Sequence, residues 1–130
     1  MSAFVDTDVL VRHLIGDPPN VAARATAYIQ REPELFLADL VIANTIHVLE
    51  SFYEIERANI CDAMRALIVM ESARVIDEYL LLRALEIYEK ERLGFGESYL
   101  IACAESTGVA HIASFDQSLD HIHSVQRVEP

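Results

Sequence analysis

Four short apolar runs, at 2–6, 35–37, 73–77 and 110–114, are separated from one another by stretches with helical periodicity. That alternation predicts an α/β chain: a short central parallel sheet covered by helices on both faces, a three-layer α/β/α sandwich. With 130 residues, 52% of them apolar, the chain has enough material for one core, so residues 1–130 are expected to form a single domain. The first and fourth runs end in or just before an acid, Asp6 and Asp116. In an open parallel sheet the chemistry gathers beyond the carboxyl ends of the strands. The strands holding Phe4 and Ile112 are therefore expected to be neighbours, with their two acids sharing one metal ion.

Each element has a local reason. After the first strand the Asp6-Thr7-Asp8 turn leads into Val9–Leu14, a helix stopped by Gly16-Asp17-Pro18-Pro19. Ala and Val at helical spacing run from Asn20 to Arg31, and Pro33 breaks the pattern before the second strand. Asp39 is placed as N-cap of a helix from about Leu40 to Glu54. The next helix, roughly 56–70, puts Ile60, Met64, Leu67 and Ile68 on one face. The third strand follows, and Asp77 starts a helix to about Glu91 with Leu81, Ala84, Leu85 and Tyr88 inward. A short helix of small and apolar residues, 97–106, is closed by Thr107-Gly108. The fourth strand and a weak last strand at 124–127 complete the chain.

A net charge of −11 with a single lysine, Lys90, excludes a broad basic surface for nucleic acid. Any nucleic-acid substrate must be held by a few arginines, by metal ions or by a partner; the nine arginines form no tight cluster in sequence. Cys61 and Cys103 lie in helical patterns without metal-ligand spacing, as expected of reduced, buried thiols in a cytoplasmic protein. No basic leader opens the sequence, and no window reaches the apolar length of a spanning helix, so no membrane partner is expected.

Five acids stand at helix or strand ends: Asp6, Asp8, Glu97, Asp116 and Asp120. Clustered carboxylates repel one another unless a cation sits among them, and an oxygen-only set suits Mg²⁺ or Mn²⁺ rather than zinc. Such an ion turns water into a nucleophile and stabilises charge on a phosphoryl group. Taken singly, each acid has an ordinary use: Asp8 suits an N-cap, and Glu97 is favoured by a helix dipole. His121 and His123 would share a strand face, but two residues are too few for a metal site.

Four segments in order carry a resemblance: Phe4-Val5-Asp6-Thr7-Asp8-Val9-Leu10, then Asp39-Leu40-Val41-Ile42-Ala43-Asn44 with Val48-Leu49-Glu50, then 94–102, and Ser114-Phe115-Asp116. Together they resemble a PIN domain of the VapC toxin type across essentially the whole chain. The resemblance implies an α/β/α fold and a metal-dependent endoribonuclease that is homodimeric, uses Mg²⁺ or Mn²⁺, and is neutralised by a cognate antitoxin. It makes Asp6, Glu97 and Asp116 the catalytic, metal-holding acids, with Ser114 orienting an acid and Asp8, where the family usually has Asn, beside the site. Two positions depart from the pattern. Glu97 replaces the usual Asp, and Asn44 falls where the family has a Glu, leaving an auxiliary ligand that brings no charge. Glu50 does not replace it, since six residues turn a helix by about 600° and carry Glu50 about 9 Å further on. His47, one turn from Asn44, is expected to pack.

Two other functions compete. Val5-Asp6-Thr7-Asp8-Val9 also resembles the first motif of haloacid-dehalogenase-type phosphatases, in which Asp6 would be a nucleophile and Lys90 the needed lysine. A PIN-like binding module that lost catalysis through Asn44 is the third reading.

Overall fold

The computed structural model describes residues 1–130, which divide into two compact units, Met1–Ile76 and Asp77–Pro130. In the first unit β1 (Ala3–Phe4), β2 (Leu35–Phe36) and β3 (Ala73–Arg74) pair in parallel in the order β1-β2-β3. The register sets Ala3 opposite Leu35 and Leu35 opposite Ala73. Backbone bonds beyond the strands, Val5 N–H to the Phe36 carbonyl (3.0 Å) and Leu37 N–H to that of Arg74 (2.9 Å), extend both ladders. Helices α1 (Thr7–Ile15) and α2 (Pro19–Arg31) link β1 to β2, while α3 (Asp39–Ser51) and α4 (Arg57–Ile68) link β2 to β3. These are the helical crossovers that parallel neighbours require.

The core of this unit draws one apolar stripe from each helix: Leu10 and Val11, Ala22, Ala25 and Ile29, then Ile42, Ile46 and Leu49, then Ile60, Met64, Leu67 and Ile68. Gly16 ends α1 in the left-handed region at φ 79°, which a side chain would strain, and its N–H bonds the Arg12 carbonyl. The first strand is two-faced. Val5 turns inward at 3% exposure, and Phe4 is 72% exposed, its ring 5.2 Å from that of Phe36.

In the second unit α5 (Glu78–Glu91) and α6 (Phe95–Thr107) form a helical hairpin, followed by β4 (His111–Ala113), a 3-10 turn at Gln117–His121 and β5 (Gln126–Val128). Asp77 caps α5 as expected, accepting from the Leu80 N–H at 3.1 Å. The hairpin closes over Tyr88 and Phe95, whose rings meet edge to face at 6.0 Å, and Arg83 ties α5 to Glu105 of α6 at 2.7 and 2.9 Å. Strands β4 and β5 are parallel, with Ile112 opposite Arg127.

The α/β class and the parallel pairing are as expected, but the neighbouring of the Phe4 and Ile112 strands is not found. The partner of β1 is β2, and that of β4 is β5, in separate ladders. A strand of two residues carries too little pattern to select its neighbour from sequence, and β1 takes the strand that follows it in the chain.

Candidate active site

Asp6 ends the first β segment with extended backbone and caps α1, its Oδ1 accepting the Thr7 N–H at 2.7 Å. Its carbonyl takes the next turn's N–H groups, from Val9 and Leu10. Asp6, not Asp8, is thus the cap: the helix begins at Thr7, and Asp8 falls in the first turn, where an acid complements the helix dipole. Both carboxylates line an open groove of about 500 Å³ together with Arg12, Val48, Phe52 and Tyr53. Oδ2 of Asp6 has no hydrogen-bond partner within the protein.

Asn44 lies exposed on α3, between the buried Ile42 and Ile46. Asp39 was expected to cap this helix, yet the cap position is Ala38 without a side-chain bond, and Asp39 is the first helical residue. His47 does not pack. The buried stripe of α3 runs through Ile42, Thr45, Ile46 and Leu49, which leaves position 47 in solvent, its Nδ1 3.5 Å from the Ser51 hydroxyl. Glu50 is half-buried beside Leu49.

In the second unit α6 starts two residues earlier than the sequence suggests, at Phe95, with Gly94 as cap. Glu97 is therefore its third residue, the position from which an acid reaches back over the cap. Its carboxylate folds over Gly94 so closely that a β-carbon there would overlap Oε2.

Asp116 follows β4 and is held from two sides. Its own N–H donates to the Ser114 hydroxyl at 3.0 Å, and its Oδ1 accepts from the Ser118 N–H and hydroxyl at 2.9 and 2.6 Å. The Ser118 hydroxyl first, then its N–H, and more weakly the charge of Arg127 hold the Asp116 carboxyl below the usual carboxylate range.

Arg127, which sequence reasoning missed, fastens this loop to β5. It donates to the Ser114 carbonyl at 3.0 Å, to both oxygens of Asp120 at 2.8 and 3.2 Å, and to Glu129 at 3.1 Å. No local spacing signals a contact between a strand and a turn 7 to 13 residues away. Asp120 is thereby engaged by Arg127, and the His121–His123 pair dissolves, since His121 sits in the 3-10 turn with its Nε2 3.5 Å from Glu91.

Within either unit taken alone, no three His, Cys, Asp or Glu side chains gather into a cage for an ion. Asp6, Asp8 and Asn44 belong to the first unit, and Glu97 and Asp116 to the second. Their donor chemistry fits a hard divalent ion: all are oxygens, and Asp6 and Asp116 are each steadied through one carboxylate oxygen with the other left over.

The PIN domain family profile matches residues 3–124, a run that takes in Asp6, Asn44, Glu97 and Asp116. The chain belongs to the PIN domain family. That assignment sets the haloacid-dehalogenase resemblance aside; Lys90, the lysine it needed, is exposed on α5, 3.6 Å from Glu86. No curated protein matches this PIN chain. Among solved structures it is similar to the VapC20 toxin of Mycobacterium tuberculosis, described as cleaving the sarcin-ricin loop, with 18% identity over 95% of each chain and a TM-score of 0.44. No helix of the PIN chain is long and apolar enough to cross a membrane.

Proposed function

We propose that this PIN chain is a metal-dependent endoribonuclease, the toxin of a toxin–antitoxin pair, acting in the cytoplasm as a single domain of residues 1–130. What supports the reading above all is the unbroken family match from residue 3 to 124, with a carboxylate at three of the four acid positions of the motif. Asp6, Glu97 and Asp116 would hold Mg²⁺ or Mn²⁺, with Asn44 as an uncharged auxiliary ligand. A bound ion supplies an activated water and stabilises charge on the phosphate. The chain's own residues do the rest. Ser114 and Ser118 fix the direction of Asp116, the backbone of Thr7 fixes Asp6, and Asp8 adds negative charge beside it.

Its partners are RNA, a cognate antitoxin whose basic segment pairs with the exposed acids, and a second copy of the chain in a two-fold dimer. The test is metal titration with a panel of structured RNAs, the sarcin-ricin loop included, beside a chromogenic aryl phosphate. Cleavage of RNA that needs Mg²⁺ or Mn²⁺ supports the proposal, and cleavage of neither substrate refutes it. One observation favours a second reading, a binding module without catalysis: the family's Glu is Asn44, whose amide weakens an ion site by a full charge.

A further inference from the structure

Helices α1 and α2 enclose an open groove of about 560 Å³ lined by Asp8, Val9, Arg12, Arg24, Tyr28 and Arg31. Three of the nine arginines thus meet in one place, although their positions in the sequence look scattered. The reason is helical: residues 24, 28 and 31 follow i, i+4, i+7 and share one face of α2, and Asp8 and Arg12 share one face of α1.

Two of the three charges here, Arg12 and Arg24, have no carboxylate partner. Arg65, Arg74, Arg83 and Arg127 each face a carboxylate, whereas Arg24 is exposed with no acid within 4.0 Å. Arg31, 67% exposed, keeps its guanidinium carbon 5.3 Å from the centre of the Tyr28 ring and pairs through Nε with its chain neighbour Glu32 at 3.5 Å. Arg12 spends one N–H on the Asp17 carbonyl, 3.2 Å away, and no carboxylate neutralises it. The groove is also continuous with the acids. Asp8 and Arg12 line both it and the groove that holds Asp6, Phe52 and Tyr53 on the other side of α1.

An aromatic ring set between cations suits a single-stranded nucleic acid, whose bases offer a π-face and whose phosphates need positive charge. An acidic peptide would use the arginines but not the ring between them. Arg24 and Arg31 are about 10 Å apart along the helix, far enough to take separate phosphates.

We propose that the α1–α2 groove binds single-stranded RNA beside the bond to be cut, with Arg24 and Arg31 on phosphates, Tyr28 under a base and Arg12 passing the strand toward Asp6. This rests on the ribonuclease reading and assigns it a substrate track.

The experiment is fluorescence anisotropy with a labelled single-stranded oligoribonucleotide and the full chain in EDTA, so that binding is read apart from cleavage. Arg24→Gln with Arg31→Gln keeps both aliphatic stems and removes both charges. The expected result is roughly 30-fold weaker binding, with the slope of log K against log salt smaller by about 1.4, the release of two phosphate contacts on a single strand. Tyr28→Leu is expected to weaken binding about tenfold, and Tyr28→Phe to leave it unchanged. Lys90→Ala, a charge removed elsewhere, leaves it unchanged as well.

The proposal is overturned if the double variant keeps wild-type affinity and salt slope, or if Lys90→Ala loses as much. It is also overturned if the wild type ignores RNA and binds a labelled glutamate-rich peptide through these arginines. The two readings fail separately. Normal metal-dependent cleavage with unaltered binding in the double variant removes the groove alone. Arginine-dependent binding by a wild type that never cleaves removes the ribonuclease alone.

Discussion

Replacing Gly94 by Ala isolates the seat of Glu97. The backbone of Gly94, at φ −64° and ψ 160°, accepts any residue, so the substitution strains no dihedral. What it adds is a methyl group where the Glu97 carboxylate lies over the cap. A carbon–oxygen contact needs roughly 3.3 Å, so the carboxylate must retreat by about 1 Å.

Folding is expected to suffer little. Ala at an N-cap costs about 1 kcal/mol relative to residues that tolerate the position, and Glu97 is the far end of a flexible chain. For a chain of this length that is a fall of about 4 °C in melting temperature. Catalysis is expected to suffer more, since misplacing a functional group by about 1 Å costs on the order of 100-fold in rate. The assay is single-turnover RNA cleavage at saturating Mn²⁺, paired with thermal unfolding, and Glu97→Gln serves as the control that removes charge without moving the chain. If Gly94→Ala cleaves at the wild-type rate while Glu97→Gln is inactive, the position of Glu97 over Gly94 is not the one that the reaction uses.

Asp6→Asn is expected to abolish cleavage and leave the melting temperature within a degree or two, because Asn caps a helix about as well as Asp; unchanged cleavage refutes the role of Asp6. Asn44→Glu is expected to tighten Mg²⁺ binding in calorimetry through direct Coulomb attraction, and equal or weaker binding shows that position 44 does not face the ion. Ser118→Ala removes the main cause of the depressed Asp116 carboxyl, so the acid limb of the cleavage profile should move to higher pH; a static limb refutes that assignment. The sign for stability is the same. A carboxyl held below its ordinary value contributes fully above that value and loses its contribution as pH falls through the depressed one. His13, held below its ordinary value by burial and 2.8 Å from Thr26 on α2, gives the same slope at milder pH. Its contribution is lost as pH falls below about 6.5, and His13→Gln should flatten melting temperature between pH 5 and 7.

The helices were legible because burial writes itself into sequence at the helical period: Ile60, Met64 and Leu67 on α4, and Leu81, Leu85 and Tyr88 on α5, are buried as that spacing requires. The stops at Gly16 and Gly108 and the cap at Asp77 were equally local. The strands were harder, since two residues hold no period, and nothing in Ala3–Phe4 says which neighbour it pairs with or that Phe4 faces out. Caps one or two residues apart compete, which is how Asp6 takes the position given to Asp8, and Ala38 that given to Asp39. Contacts between distant residues left no trace at all, as with Arg127 on the Ser114 carbonyl or the arginines facing one another across α1 and α2.

The strand order of the first unit carries a consequence for synthesis. Each of its ladders joins a strand to the next one made, so no partner has to wait for a distant part of the chain. Such sequential pairing asks for no partner from the second unit, so the ladders of the first can form once β3 has left the ribosome. The nascent polypeptide can pair β1, β2 and β3 while the end of the second unit is still being added. Glu97 and Asp116 then reach solvent last, so a half-emerged molecule presents the acids of its first unit without those of its second.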